Sequence, residues 1–363
     1  MKRKIRVGIL FGGKSAEHEV SLQSARNVAN ALDRKKYEVV LIGINKAGAW
    51  LAPRVSERYL ALASNKPTKV PEKSREVVML ALAGGGILTR DSGEIEGKID
   101  VVFPVLHGPF GEDGTVQGLL KLADVPFVGA GVLGSAVGMD KDVMKRLLRD
   151  AGIPIARFVV VHSYEGIGFA DAKKKLGLPM FVKPANMGSS IGISKVRNEK
   201  EFKQALAEAF QFDTKVLLEG FVEGKEIECS VLGNVKPIAS LPGELVIKSE
   251  FYSYEAKYLD PDAMTPQIPA DLPKSTTKKI QDLAVRAFKA LCCEGMARVD
   301  FFLTKNGRVL VNEINTIPGF TNISMYPKMW EASGIPYPKL IDRLIQLAIE
   351  RHTKEKKLKT SRV

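Results

Sequence analysis

Residues 297–324 read ARVDFFLTKNGRVLVNEINTIPGFTNIS, and the rest of the chain is understood from them. Two runs of alternating apolar and polar residues flank Asn306-Gly307, the strongest short hairpin signal. With those two residues as the loop, Lys305 faces Arg308, Phe302 faces Val311, Asp300 faces Glu313 and Arg298 faces Asn315. Strand residues two apart share a face. Arg298, Asp300, Glu313 and Asn315 therefore lie together on one face. Val299, Phe301, Leu303, Leu310 and Ile314 take the other, the natural core side.

That arrangement sets two acids against each other. Directly opposed strand side chains have Cβ atoms about 5 Å apart. Two carboxylates at that distance repel by roughly 3 kcal/mol at an effective dielectric near 20. Either one takes a proton, or Arg298 neutralises them on a polar solvent-facing hairpin, or a cation sits between them. Two carboxylates and an amide oxygen are a hard, all-oxygen set that suits Mg²⁺. Few protein ligands leave positions that a phosphate group can fill.

Outward from the hairpin, composition bounds the class. The chain has 363 residues, enough for two or three domains, and its 45% hydrophobic and 26% charged residues are ordinary for a soluble globular protein. No apolar run approaches the ~20 residues of a membrane span. The start, MKRKIRVGILFGG, has basic residues before an apolar run, but the run is short and lacks a small-residue cleavage site. It reads as a first strand, and the expected location is cytoplasmic. Cys229, Cys292 and Cys293 are odd in number and lack zinc spacing, so they read as buried, inert thiols. A net charge of +13 raises a nucleic-acid partner. The basic residues are spread along the chain without interleaved aromatics, and a solvated basic surface is the better account.

The first third alternates. Residues 5–11 and 37–44 read as strands around a Gly loop and a helix, and 99–105 as a buried parallel strand. This is the opening of a doubly wound α/β unit without G-x-G-x-x-G. Residues 53–98 read as polar and irregular, 126–128 as a short strand, and 135–151 as one helix. Then the pattern changes to α+β. Strands are expected over 155–161, 179–184, 191–196, 215–221, 225–232 and 237–247. Helices are expected near 199–210, 273–292 and 338–352, and a Tyr-rich lid loop over 249–266. The expected division is 1–128, 129–222 and 223–363.

Five further stretches carry chemistry. In MFVKPANMGSSIGISK, 180–195, the loop Gly188-Ser189-Ser190 exposes backbone N–H groups to phosphate oxygens, and Lys183 can reach them as a point charge. An ordinary hairpin turn is the plain alternative. In LLEGFVEGKE, 217–226, Glu219 and Glu226 lie at a strand crossing where a carboxylate can take ribose hydroxyls, or they are surface glutamates. In FYSYEAKY, 251–258, three tyrosines and Lys257 suit a lid that closes over phosphate, or a solvent-exposed mobile loop with no role. Glu17, in GGKSAEHEVS, is first a helix-start acid, but at the end of strand one it can bind an ammonium group. His107 opens HGPFGEDGT at the carboxyl end of a strand, where open α/β sheets place ligands.

In order, GGKSAEHEVS, HGPFGEDGT, MDK at 139–141, KPANMGSS at 183–190, YSYEAKY at 252–258, RVDF at 298–301 and NEINTIPGFT at 312–321 resemble the D-alanine–D-alanine ligases of the ATP-grasp superfamily over nearly the whole chain. The resemblance implies a three-domain ATP-grasp fold, with an N-terminal doubly wound parallel-sheet domain and α+β domains behind it. It implies ATP-dependent joining of two D-alanines through an acyl phosphate, for peptidoglycan precursor synthesis in the cytoplasm. It implies Lys141 and Lys183 on the ATP phosphates, Ser189 in the phosphate loop, Glu219 and Val222 on adenine through backbone groups, and Glu226 on ribose. Asp300, Glu313 and Asn315 would hold two Mg²⁺ ions, with Mn²⁺ able to substitute. Glu17, linked to Ser189 and Tyr258, would hold the first D-alanine's amino group, with His107 nearby. Arg298 and the Gly319 backbone would stabilise charge at the reacting carbonyl. Ser324 would hold the second carboxylate, and Lys257 would close over the γ-phosphate. A homodimer is implied, and no nucleic-acid or membrane partner. Gly220 departs from the family pattern, where many relatives carry lysine, and so does Ser253, where Asp is common.

Overall fold

The computed structural model of the chain describes residues 3–62, 77–79, 86–89, 95–247 and 264–359. The chain opens with β1 (Ile5–Gly12), α1 (His18–Ala31), β2 (Tyr37–Ile44), α2 (Pro53–Leu62), β3 (Val77–Met79), β4 (Gly86–Thr89), β5 (Ile95–Lys98) and β6 (Val101–Val105). Then come α3 (Thr115–Leu122), α4 (Val132–Met139), α5 (Lys141–Asp150), β7 (Phe158–His162), α6 (Phe169–Leu176), β8 (Met180–Pro184), β9 (Ser194–Val196), α7 (Glu199–Ala209) and β10 (Lys215–Gly220). The last part holds β11 (Gly224–Gly233), β12 (Ile238–Ala239), β13 (Gly243–Ile247), β14 (Met264–Gln267), α8 (Lys274–Ala290), β15 (Gly295–Thr304), β16 (Val309–Asn315), α9 (Met325–Ala332) and α10 (Tyr337–Glu355).

A parallel sheet in the order β2-β1-β6 carries the first third. Strand β1 is central, and Val7, Ile9, Leu10 and Phe11 are fully buried. A continuous apolar run is what a strand covered on both faces requires. The C-terminal helix α10 packs back onto this unit, where Leu340, Ile341, Leu344 and Ile345 join Val28, Ile9 and Phe103 in one core. An antiparallel sheet β7-β10-β8-β9 follows, and then the larger antiparallel sheet β14-β13-β11-β15-β16 with β12 on β11.

Several expectations need correction. Residues 53–98 are not irregular: they contain α2 and the antiparallel strands β3, β4 and β5. The helix expected over 135–151 is two, broken at Asp140, whose backbone is extended (ψ 102°) and whose side chain caps α5 through the N–H groups of Asp142 and Val143. A capping Asp restarts a helix where periodicity alone runs straight through. Pro126–Val128 forms a bridge to Val102 rather than a strand. Helices α3, α6 and α9 have no counterpart among the expected elements. Residues 264–266, expected in the lid, belong to β14, and the rest of that loop lies outside the described residues. Cys229 and Cys293 are buried, with burial pushing the Cys229 thiol up to about 12, but Cys292 is exposed.

The hairpin itself differs in an informative way. Leu303 pairs Val309, Phe302 pairs Leu310 and Phe301 pairs Val311. This is one residue out from the two-residue-loop register. Thr304 closes a longer turn: its carbonyl accepts from Gly307 N–H at 2.9 Å, its N–H donates to Arg308 at 2.9 Å, and Gly307 takes φ +75°. The register then shifts between Asp300 and Phe301, leaving Asn312 as an extra residue on β16. The bulge restores Asp300 opposite Glu313 and Arg298 opposite Asn315. Val309 and Val311, rather than Leu310, consequently join Phe301 in the core under α8.

Candidate active site

The site draws on the β2-β1-β6, β7-β10-β8-β9 and β14-β13-β11-β15-β16 sheets and the loops between them. Its floor is the polar face of β15 and β16. Arg298 donates from Nε and Nη2 to the two oxygens of Asp300, each at 2.7 Å, and its Nε lies 3.1 Å from Glu228 on the neighbouring strand β11. Burial works against the guanidinium charge, but Asp300 and Glu228 outweigh it and hold Arg298 well above its ordinary value. Asn315 donates Nδ2 to Asp300 at 3.0 Å. Part of the opposed-acid problem is thus met by Arg298. Glu313 faces instead toward Lys141, 3.9 Å away.

Asp300, Glu313 and Asn315 fit a hard divalent cation. They offer two carboxylates and an amide oxygen side by side. Among the described residues no group of three or more His, Cys, Asp or Glu side chains could hold a metal. A cation here would have few protein ligands and complete its shell with phosphate oxygens and water, which suits Mg²⁺ and not zinc.

The lysines converge from two other elements. Lys141 opens α5 and donates Nζ to the Met187 carbonyl at 2.6 Å. Burial lowers its ammonium, with Glu313 opposing and Lys183 adding to the fall. Lys183, on β8, donates to Glu219 on β10. Glu219 is no surface glutamate: it is 2% exposed, and its other oxygen sits 2.5 Å from Lys145 Nζ. Burial would raise the Glu219 carboxyl, but Lys145 and Lys183 together hold it at about 2. Val222 lies in the segment joining β10 to β11, and Glu226 is half-buried on β11, its charge felt by Lys183.

The third side is built by the loops after β1 and β6 and the segment 185–193. Ser189 donates to Glu17, which precedes α1 but makes no side-chain capping bond. Glu17 stands at the N-cap of α1 but its carboxylate is taken by Ser189 rather than by the helix N–H groups. Backbone crowds it from two sides. A Cβ on Gly108 or on Gly188 would lie 3.3 Å from Glu17 Oε2, and Gly108 also takes φ +77°. Ser189 and Ser190 hold φ of +50° and +62°, a conformation costing non-glycine residues ~1 kcal/mol or more. His107 is buried, 3.1 Å from the Ile317 carbonyl through Nδ1 and 3.5 Å from Ser24 Oγ through Nε2. Burial lowers its pKa, with Glu17 opposing, so the ring is neutral at pH 7. Ser324 Oγ accepts from Thr321 N–H at 2.9 Å, and a Cβ on Gly319 would come within 2.7 Å of it. One cavity is lined by Glu112, Lys141, Gly188, Glu313 and Asn315 together, joining the three sides. Tyr258 and Lys257 lie outside the described residues. At Gly220 a Cβ would stand 3.2 Å from the Leu176 carbonyl oxygen.

Three charged residues escaped the sequence reading. Glu228 faces Asp300 only through the β11–β15 register, which no local pattern reveals. Lys145 follows Lys141 by four residues and so shares its helix face, a signal that was there to be used. Glu112 sits inside HGPFGEDGT. Its two oxygens accept from Gly108 N–H at 2.8 Å and Ile317 N–H at 3.2 Å. Burial, and then the nearby Glu17, push its carboxyl up to about 8.

Glu112 gives a pH prediction. Folding holds this proton more tightly than the unfolded chain does. Its stabilising contribution is complete below the unfolded value near 4.5 and is lost as pH rises toward 8. Allowing for the residue's partial exposure, stability falls by about 1–3 kcal/mol over that range. Urea midpoints measured from pH 5 to 8 should show this slope, and Glu112→Gln should flatten it. An unchanged slope in the variant assigns the effect elsewhere.

Two family models match, described as D-ala D-ala ligase N-terminus over residues 6–130 and D-ala D-ala ligase C-terminus over 147–346. The chain is 52% identical to a D-alanine–D-alanine ligase of Oceanobacillus iheyensis, covering 100% of this chain and 99% of that protein. It is 51% identical to D-alanine–D-alanine ligase A of Salmonella typhimurium, over 99% of each. Among solved structures it superposes on the D-alanine–D-alanine ligase of Coxiella burnetii with a TM-score of 0.83 at 41% identity, covering 98% of each chain. It superposes on the VanG D-Ala:D-Ser ligase of Enterococcus faecalis with 0.85 at 37% identity, covering 95% of this chain and 100% of that one. With the lysines, the acidic hairpin and the Glu17 pocket set in one cleft, the chain belongs to the D-alanine–D-alanine ligase family, ATP-dependent ligases built on the ATP-grasp fold.

Proposed function

We propose that the chain joins two D-alanine molecules at this cleft, with each residue acting where its surroundings suit it. The observation that carries the reading is the shared cavity of Lys141, Gly188, Glu313 and Asn315 beside the Glu17–Ser189 pair. On this reading an anion site, an ammonium site and a hard-cation site come within reach of one small substrate. Glu17 holds the first ammonium group, and neutral His107 lies beside it. Lys141 and Lys183 hold phosphate oxygens, with the Ser189 loop offering N–H groups. Backbone groups of Glu219 and Val222 meet adenine, and Glu226 takes the ribose. Asp300, Glu313 and Asn315 hold two Mg²⁺, or Mn²⁺, which neutralise phosphate charge when bound. Lys257 and Tyr258 complete the closure and the ammonium pocket.

A free carboxylate is a poor electrophile, so it must be activated. The first D-alanine carboxylate attacks the γ-phosphorus, ADP leaves, and an acyl phosphate forms. The lysines and the closed loop position these groups and exclude water. The second amine attacks the acyl carbon. Arg298, already fixed by Asp300 and Glu228, and the Gly319 N–H meet the developing oxyanion. Collapse breaks the carbon–oxygen bond to phosphate, the nitrogen's surplus proton leaves with the phosphate or to solvent, and the dipeptide remains, with Ser324 holding the second carboxylate.

The division at 128 and 222 belongs to the same proposal, as does a cytoplasmic location. Among the described residues no helix is long and apolar enough to cross a membrane. A homodimer through the first unit is supported by Phe110 and Leu122, which are 58% and 77% exposed at the start and end of the α3 segment. Phosphate release with ATP and D-alanine, against L-alanine and against D-alanine paired with D-serine or D-lactate, tests the reaction. Release with D-alanine alone is expected. A preference for D-serine or D-lactate as acceptor moves the chain to a neighbouring specificity, and a monomeric mass in sedimentation of the same sample removes the dimer.

A further inference from the structure

Lys145 has no place in the scheme above, yet it is among the most deeply buried charged side chains, 1% exposed. Its Nζ lies 2.5 Å from Glu219 Oε1 and donates to the Asn312 carbonyl at 3.2 Å. Asn312 is the bulged residue of β16, one before Glu313. Lys145 therefore ties together the strand at the proposed adenine edge and the strand of the proposed metal site. The other oxygen of Glu219 receives Lys183.

The charge count is the informative part. Two ammonium groups share one carboxylate in a nearly dry place, so the trio carries one surplus positive charge. Lys145 is sealed, whereas Lys183 retains 11% side-chain exposure toward the cleft. The surplus is thus available only through Lys183. We propose that Lys145 is a positioning residue that neutralises Glu219, leaving the Lys183 charge free to hold a nucleotide phosphate. The inference rests on the reading of Lys183 as a phosphate contact. Without Lys145, Glu219 and Lys183 would form a closed, neutral buried pair, and the lysine would have to leave a desolvated carboxylate to meet phosphate. Burial lowers the Lys145 ammonium, with Glu219 opposing, and both of its polar contacts, the Glu219 carboxylate and the Asn312 carbonyl, are to acceptors, the setting an ammonium donor requires.

The test is a charge-restoring pair. Lys145→Met should raise KM for ATP about 10–100-fold, since a group that orients another by hydrogen bonds commonly has effects of that size. KM for D-alanine should move less than about 3-fold. Adding Glu219→Gln to Lys145→Met removes the stranded carboxylate and returns the surplus charge to Lys183. The double variant should recover most of the lost ATP affinity, and Lys145→Arg should resemble the parent more than Lys145→Met does. If Lys145→Met proves insoluble, the double variant alone decides. ATP binding within about 5-fold of the parent supports charge neutralisation, and a larger loss overturns it. A Lys145→Met protein with lowered kcat and melting temperature but unchanged KM for ATP also overturns it, because that is a purely structural role. Lys183→Met is the separate control. An unmoved KM for ATP there removes the phosphate contact itself, and the proposal with it, whereas a raised KM without recovery in the double variant removes only the role of Lys145.

Discussion

Glu313→Gln is expected to lower ATP-dependent phosphate release by about 10³-fold or more while leaving the melting temperature within a degree or two. Glu313 retains 33% side-chain exposure, and its ion pair with Lys141 is long at 3.9 Å, so its neutralisation costs folding less than that of the more buried, closely paired Asp300. Its cost falls on cation binding. Raising Mg²⁺ should recover part of the activity, which a folding defect would not permit. Asp300→Asn makes the contrast. Asp300 is 14% exposed and accepts both forks of the Arg298 guanidinium. Asn can accept on one oxygen only, which leaves a buried guanidinium leaning on Glu228. That variant should lose activity and also about 1–3 kcal/mol of stability. Turnover within tenfold of the parent for Glu313→Gln at ordinary Mg²⁺ would remove the metal from this hairpin.

The hairpin shows how far local pattern reaches. The opposition of Asp300 and Glu313 was legible, but it was reached through a wrong turn. The loop is one residue longer than Asn306-Gly307, and the bulge at Asn312 takes the error back before the site begins. Alternation reports which residues share a face and is nearly blind to a pair of compensating shifts. The parallel sheet was legible for a different reason, since buried runs such as Val7–Phe11 have no other use. The break between α4 and α5 was missed because apolar periodicity survives a capped restart when both helices lie on one core. The partners of charged residues were least legible. Glu228 meets Arg298, and Lys145 meets Glu219, through contacts between elements far apart in sequence. Ion pairs of that kind depend on sheet register and helix placement, and no motif encodes them locally. Glu112 was missed within a motif already singled out, because its importance lies in burial beside Glu17 rather than in residue type.

Arg298→Lys separates the two halves of the reaction. Lysine keeps the positive charge among Asp300 and Glu228 but loses the planar fork, so it cannot serve both acids and an oxyanion at once. The carboxylates remain neutralised, and the protein should fold. In the proposed scheme acyl phosphate formation depends on the lysines and the proposed metal site, and it should persist within about tenfold, read as hydroxamate when hydroxylamine replaces the second D-alanine. Dipeptide formation should fall about 10²–10³-fold, the usual cost of one oxyanion donor. The melting temperature and KM for ATP should stay near those of the parent. Arg298→Met is the harsher variant. It leaves Asp300 and Glu228 buried beside each other without a cation, and it should cost several kcal/mol, so activity lost there says little about chemistry. The lysine variant carries the test. If hydroxamate and dipeptide fall together, Arg298 acts on the phosphoryl step, and the charge that develops at the acyl carbon must be met by the Gly319 backbone instead.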